Sequence, residues 1–309
     1  MREAFRDSHP LIQIGILILA GFGAMFVLIM LIAIALLISG QPMEFITNPS
    51  ALTDPNSIGI LILKILQIAQ SIGLFVAPYL IYRWLLHDGS YQLLQVRGRW
   101  SMLAVFSISM ISALPLINFL AEWNSSLHLP GALSGVETWM RSTEAQAETL
   151  IRSFLAMDSI GDLLFNLVLI ALLPAICEEV FFRGTVQPLL LRVTRGPHAA
   201  IWITAFIFSF FHMQFLGFFP RLLLGAVLGY AAHWSGTLML PMMGHLLNNG
   251  IAVLATWYVG REVMSSEMET LGANEGEGSL VLLGTAVLIA GMTSIYFSHL
   301  RLQKKTTAA

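Results

Sequence analysis

Long apolar segments constrain the fold of this 309-residue chain more than any other feature. A membrane-spanning helix needs about twenty apolar residues, and eight stretches approach or exceed that length, at about 11–39, 58–86, 101–121, 161–187, 197–215, 218–235, 237–259 and 279–300. The first is too long for a signal-peptide core and lacks a small-residue cleavage site, so it is predicted to be an uncleaved span. Only 11% of the residues are charged. We therefore predict an all-α polytopic membrane protein with about eight transmembrane helices.

The charges between the apolar segments predict the orientation. The segments on one side carry most of the basic residues: Arg2, Arg6, Arg83, Arg97, Arg99, Arg192, Arg195, Arg301, Lys304 and Lys305. The segments on the other side carry fewer basic residues: Arg141, Arg152, Arg221 and Arg261. They hold acids instead: Glu44, Asp54, Glu122, Glu137, Glu144, Glu148, Glu262, Glu267, Glu269, Glu275 and Glu277. The positive-inside rule then predicts cytoplasmic termini. The lack of organelle signals in the sequence favours the plasma membrane of a prokaryote.

The chain is predicted to divide into four regions. They are an N-terminal three-span region (1–121), an extramembrane or interfacial segment (122–160), a core of four helices that carries nearly all the intramembrane polar residues (161–259) and a last span with a cytoplasmic tail (260–309). The run TEAQAETLIRSFLAM in the second region has helical spacing and is predicted to lie at the interface or to cap the bundle. The net charge of −2 says nothing about nucleic acid, and no basic patch suggests it, so no nucleic-acid partner is predicted. The single cysteine, Cys177, is interpreted as a packing residue.

Seven notable side chains stand in three motifs within the apolar segments of the core. They are Glu178, Glu179 and Arg183 in CEEVFFR, Phe208 and His212 in FSFFH, and His245 and Asn249 in HLLNN. Ionisable groups in a bilayer cost about 2.5–3.5 kcal/mol each on insertion scales and usually mark functional sites. Counted at about 1.5 Å per residue from the basic side, the polar groups reach a similar level near the membrane middle. We therefore predict that they converge.

Helical spacing assigns different roles to the two glutamates. Glu179 and Arg183 lie four residues apart and are expected to pair, whereas Glu178 points about 100° away and is left free to act as a general base. Phe208 is expected to pack against the histidine site. A purely structural ion-pair network, or histidines that are only hydrogen-bonded core residues, remain alternatives. Pro174, four residues before Glu178, lacks an N–H group and could kink its helix to open a recess, although prolines are common in membrane helices.

Glu-Glu-x-x-x-Arg, Phe-x-x-x-His and His-x-x-x-Asn, in this order on separate spans, resemble the CPBP family. This family includes type II CAAX prenyl endopeptidases and the Abi and lysostaphin-resistance-A-like proteins, and the resemblance covers residues 161–259. It implies an intramembrane endopeptidase whose site opens to the cytoplasm and whose substrate is a membrane-associated peptide or protein, with prenylated CAAX-type peptides as one class. It also implies that Glu178 and His212 activate water, and that His245 and Asn249 stabilise the oxyanion. Glu179 and Arg183 would hold the site together.

Two questions stay open at this level. Glu178, His212 and His245 could bind zinc with an open fourth position, but zinc would occupy the groups needed to activate water, so a mechanism without a metal or other cofactor is favoured. The alternative functions are a catalytically idle immunity or scaffold membrane protein and an ion-coupled transporter. The sequence has no internal repeat of the kind found in many transporters.

Overall fold

The computed structural model describes residues 2–40, 58–86, 100–259, 271–274 and 276–307, and this part of the chain is helical without a β-strand. Some charges used to predict the orientation lie outside the described residues: Glu44, Asp54, Arg97, Arg99, Arg261, Glu262, Glu267, Glu269, Glu275 and the side chain of Lys305. The all-α polytopic architecture predicted from the apolar segments is confirmed.

The described residues form eleven α-helices, named here in chain order with the π-helical segments included in the helices that contain them. They are α1 (Arg2–Asp7), α2 (Pro10–Ile38), α3 (Ile58–Leu86), α4 (Trp100–Ser112), α5 (Leu114–Ser125), α6 (Ser134–Phe154), α7 (Ile160–Thr194), α8 (Pro197–Phe211), α9 (Phe218–Ser235), α10 (Met239–Val259) and α11 (Gly278–Thr307). Their ends follow local chemistry: α8 begins at Pro197, which needs no hydrogen-bond acceptor there, and α9 ends at Gly236 with φ 63°. A capping box between Ser159 and Asp162 starts α7.

All eight predicted spans are helical, but fewer meet the length and apolarity of a membrane span by themselves. Five do so: Pro10–Ile38, Ile58–Leu86, Ile160–Thr194, Phe215–Ser235 and Gly278–Lys304. Helices α4 and α5 make a sixth only as a pair bent by 42°. Helix α8 has 15 residues, about 22 Å, which is shorter than the roughly 30 Å hydrocarbon core. Helix α10 carries His245, Asn248 and Asn249, which lower its apolarity.

Helix α7 contains two π-helical segments, Leu167–Leu172 and Phe182–Val186, on either side of the α-helical turns that carry the two glutamates. A π turn adds a residue and rotates the side chains that follow, and such turns are frequent at functional sites. A third π segment, Ile72–Val76, lies in α3. The spacing rules of a regular α-helix therefore apply only over short parts of α7.

Helices α7 and α9 are joined by two polar contacts with the same sequence separation. Arg183 donates to the carbonyl oxygen of Gly225 (2.8 Å), and Gln187 donates to that of Gly229 (3.1 Å). Glycine at 225 also allows close packing of α9 on α8, because a Cβ there would lie 3.1 Å from the Cα of Ala205. These contacts fix α7, α8 and α9 around the polar residues.

The amphipathic helix predicted within 122–160 forms as α6 and packs on the turn between α8 and α9. The Glu144 carboxylate accepts a hydrogen bond from the Leu216 amide (3.1 Å), and the rings of Trp139 and Phe215 lie 5.2 Å apart. The side chain of Asn124, at the end of α5, donates to the carbonyl of Phe215 (3.1 Å). Helix α6 thus covers the end of the bundle where α8 ends.

Candidate active site

Three of the predicted side chains meet at one oxygen atom. Oε2 of Glu178, on α7, lies 3.9 Å from Nε2 of His212, which follows α8, and 4.0 Å from Nε2 of His245 on α10. Neither distance is a hydrogen bond, but one water molecule beside the line that joins the two atoms could bond to both. The three side chains range from 4% to 28% exposed, so the group lies inside the bundle with His212 at its accessible edge.

The second ring nitrogen of each histidine is held by an acceptor. Nδ1 of His212 lies 2.8 Å from the carbonyl oxygen of Phe208, and Nδ1 of His245 lies 2.9 Å from Oε1 of Glu179. Because a carbonyl or carboxylate oxygen accepts only, each Nδ1 carries the hydrogen. When neutral, both imidazoles therefore turn an Nε2 lone pair towards Glu178.

Oε2 of Glu178 is buried and accepts no hydrogen bond within the described part of the chain. An unsatisfied buried acceptor typically costs about 1–3 kcal/mol, more when it is charged. With two imidazole lone pairs facing it, the site presents three acceptors and requires a donor between them. A water molecule, which has two hydrogens to give, matches this requirement.

The ion pair expected from helical spacing is present beneath this oxygen. Nη1 of Arg183 lies 2.8 Å from Oε1 of Glu179, and both side chains are fully buried. The same Oε1 contacts Nδ1 of His245, so Glu179 links Arg183 to one of the two histidines. No spacing rule connects Glu179 with a residue 66 positions later, which is why the sequence did not indicate this contact.

Phe208 contacts both histidines and the arginine. Its ring lies 4.9 Å from that of His212 and 6.0 Å from that of His245, each edge to face, and the Arg183 guanidinium stands 4.7 Å over its centre. Its side chain is 1% exposed. Phe208 therefore fills the space behind the site, as a packing partner would.

Asn249 contacts the backbone of α7. Its Nδ2 donates to the carbonyl oxygen of Ile170 (3.2 Å), and its Oδ1 accepts from Asn248 (3.1 Å). Ile170 lies four residues before Pro174, which has no N–H to offer that carbonyl. Asn249 thus supplies a hydrogen bond that the proline withholds. Its role as an oxyanion donor stays a prediction.

The three candidate metal ligands stand farther apart than the ligands of a tetrahedral zinc do. Ligands at about 2.0–2.2 Å from one tetrahedral zinc lie about 3.3 Å from one another, whereas Oε2 of Glu178 is 3.9 and 4.0 Å from the two imidazoles. Within the described ranges, no group of three or more His, Cys, Asp or Glu side chains has the geometry of a metal site. These three side chains do not fit a tetrahedral zinc, and the mechanism without a metal stays a prediction.

The segment that holds these side chains matches a known protein family. Residues 160–251 match the model of the family described as type II CAAX prenyl endopeptidase Rce1-like. This segment is Rce1-like. The resemblance predicted from the three motifs is thereby confirmed, and an Rce1-like segment supports a CAAX-type intramembrane protease in general.

The Rce1-like segment also has a relative among curated proteins. The chain is 27% identical over 90 residues to the uncharacterized protein YpbD of Bacillus subtilis (strain 168), an alignment that covers 28% of this chain and 43% of YpbD. The chain therefore spans less than half the length of this relative. No solved structure matches the chain.

Proposed function

We propose that the protein is an intramembrane endopeptidase that hydrolyses a peptide bond in a membrane-associated peptide, with prenylated CAAX-type peptides as the first class to test. The observation that carries this proposal is the meeting of Glu178, His212 and His245 at a buried, unsatisfied carboxylate oxygen. It lies within the Rce1-like segment, which supports a protease of this class.

In the proposed reaction, a water molecule bridges Glu178 and His212 and donates its hydrogens to Oε2 and Nε2. Glu178 takes one proton as the water oxygen attacks the carbonyl carbon of the scissile bond. The carbonyl oxygen becomes an oxyanion, which needs preorganised donors. Glu178 then returns the proton to the leaving amine as the C–N bond breaks.

The oxyanion donors proposed are His245 and Asn249. Nδ1–H of His245 is committed to Glu179, so Nε2 can donate only in the imidazolium form. One hydrogen of the Asn249 amide binds Ile170, and the second is the one available to the oxyanion.

The first experiment compares purified wild type with Glu178→Gln in detergent. Both are incubated with fluorogenic peptides, lipidated and unlipidated. Glu148→Gln on α6 serves as the matched control because that carboxylate is exposed and pairs with Arg152, away from the proposed site. We expect cleavage by wild type and by the control, and a rate loss of about 10²–10⁴ in Glu178→Gln. Full activity in Glu178→Gln would refute its role as the base.

A chelator arm addresses the metal. The mechanism above predicts an unchanged wild-type rate after rigorous chelation, and recovery of a lost rate by equimolar zinc would contradict it. Absence of cleavage by wild type on every peptide would favour the idle immunity or scaffold protein, and ion flux in vesicles would then test the transporter.

A further inference from the structure

Helices α7 and α9 place a third charged side chain at the level of the two glutamates. The contacts Arg183–Gly225 and Gln187–Gly229 have equal separations in sequence, so the two helices run in the same direction with a fixed register. One turn earlier on each helix, the same register sets Arg221 level with Glu179. Arg221 therefore lies on the α9 stripe that faces α7, beside the proposed catalytic site.

The Arg221 side chain is held against the turn that follows His212. Nη1 donates to the carbonyl oxygen of Gln214 (2.9 Å) and Nη2 to its Oε1 (2.7 Å). The guanidinium packs on Gly217, where a Cβ would lie 2.7 Å from Nη1. Two contacts to one glutamine and a glycine beneath fix the plane of the fork.

The charge of Arg221 is not neutralised by a contact within the described residues. None of their carboxylates lies within 4.0 Å of its guanidinium, and the carboxylates that act on it through space are those of Glu144 and Glu178. A half-buried cation without a counter-ion is costly. The N–H groups that Gln214 does not use remain available for an anion.

We infer that Arg221 binds the free C-terminal α-carboxylate of the peptide substrate. The guanidinium fork matches a carboxylate in shape and charge, and such hydrogen bonds are about twice as strong as neutral ones. The C-terminal carboxylate of a peptide always belongs to the leaving-amine side of the scissile bond, and Arg221 stands on the α9 stripe that faces Glu178 and Glu179. The contact would fix how many residues separate that bond from the C-terminus. This inference rests on the proposed peptidase function.

The test compares each peptide as a C-terminal acid and as a C-terminal amide, in sequences without acidic side chains. The measured quantity is the ratio of kcat/KM for the acid to that for the amide, so a general loss of activity cancels. We expect wild type to prefer the acid, and Arg221→Met to lower the ratio about ten-fold to a hundred-fold. Arg221→Lys, which keeps the charge but not the fork, should retain part of the preference and serves if Arg221→Met does not fold.

Two control variants separate charge from support of the turn. Gln214→Leu removes the side-chain acceptor of Arg221 but leaves its charge, and Arg152→Met removes an exposed arginine of α6. Arg152→Met should keep the wild-type ratio. Gln214→Leu, which loses one of the contacts that fix the fork, should lower the ratio less than Arg221→Met does. An equal fall in acid and amide cleavage in Arg221→Met would show that Arg221 only supports the turn. A wild-type ratio of one would also overturn the inference.

A binding measurement distinguishes this inference from the proposed function. Affinities of the acid and amide peptides are measured by fluorescence anisotropy on Glu178→Gln, with and without Arg221→Met. Tighter binding of the acid that disappears with Arg221→Met supports the carboxylate site even if wild type cleaves neither peptide. Equal affinities for both peptides would refute it.

Discussion

Glu179 links several residues of the site, although the proposed reaction gives it no bond to make or break. Its Oε1 accepts hydrogen bonds from Arg183 and His245, and Arg183 also donates to the carbonyl oxygen of Gly225 on α9. The carboxylate therefore sets the orientation of an imidazole and the spacing of three helices at once. Its charge is tolerable in the bundle only because the arginine accompanies it.

Arg183→Met should destabilise the protein strongly, by about 3–5 kcal/mol, because it leaves the buried Glu179 charge without its cation. Adding Glu179→Gln should recover a large part of that loss, since the amide oxygen can still accept from His245 and no bare charge remains. Thermal unfolding of both variants in detergent is the measurement. If the double variant is no more stable than Arg183→Met, the loss comes from packing over Phe208 and not from the charge.

Asn249 combines a structural contact with a proposed catalytic one, and a double variant separates them. Asn249→Ala should lower stability and reduce the rate by about 10²–10³, the usual scale for one oxyanion donor. Adding Pro174→Ala gives α7 an N–H that can reach the Ile170 carbonyl, so stability should rise again. The rate should stay low. Recovery of both together would mean that Asn249 acts only by shaping α7.

At the scale of elements, the first turn of α6 carries an acid, Glu137, whose contacts are local. The hydrogen bond with His128 (2.8 Å), supported by Arg141 (2.9 Å) and the Leu129 amide (3.0 Å), lowers the pKa of the Glu137 carboxyl to about 2. A carboxyl whose pKa is lower in the folded state stabilises it fully above the unfolded pKa of 4.5, and this contribution disappears as the pH falls towards 2.

Wild type should therefore exceed Glu137→Gln in thermal midpoint by the largest margin above pH 5. The margin should shrink through pH 4 and vanish below pH 2, because the Glu137 carboxyl is then protonated in the folded as well as in the unfolded state. Glu148→Gln, which removes the exposed partner of Arg152, should change the midpoint little at any pH. A margin for Glu137→Gln that does not vary with pH would show that the carboxylate contributes through shape alone.

The features that the sequence predicted depend on contacts within single helices. The Glu179–Arg183 pair, the helical α6 and the apolar helices depend on contacts within one element, and a 3.6-residue period describes them. The contacts of Glu179 with His245 and of Arg183 with Gly225 cross between helices. They depend on the π turns of α7 and on glycines that let α8 and α9 approach, and neither leaves a periodic signal. Fewer helices than the eight predicted spans meet the length and apolarity of a membrane span, for a related reason. Helix α10, for example, carries polar residues that lower its apolarity.

At the scale of the whole molecule, the site is joined to the acid-rich end of the bundle. His212 follows the 15 residues of α8, about 22 Å from the end that carries Arg195, and the turn beyond it is bonded to α6 through Glu144 and Leu216. The cytoplasmic termini and the cytoplasmic opening are both predictions, and this arrangement separates them. If the termini are cytoplasmic, the exposed edge of the site beside His212 should face the opposite side.

Single-cysteine labelling can test the two predictions in one experiment. In a Cys177→Ser background, cysteines at Lys304, Ser126 and Met213, all exposed, are treated with a membrane-impermeant maleimide before and after permeabilisation of cells. We expect Ser126→Cys to react from outside and Lys304→Cys only after permeabilisation, as the basic residues predict. Met213→Cys, next to His212, should be labelled from outside, as Ser126→Cys is, because the turn packs under α6. If Met213→Cys is labelled only after permeabilisation, as Lys304→Cys is, the site opens to the cytoplasm and the substrate reaches Glu178 through the bundle from the basic end.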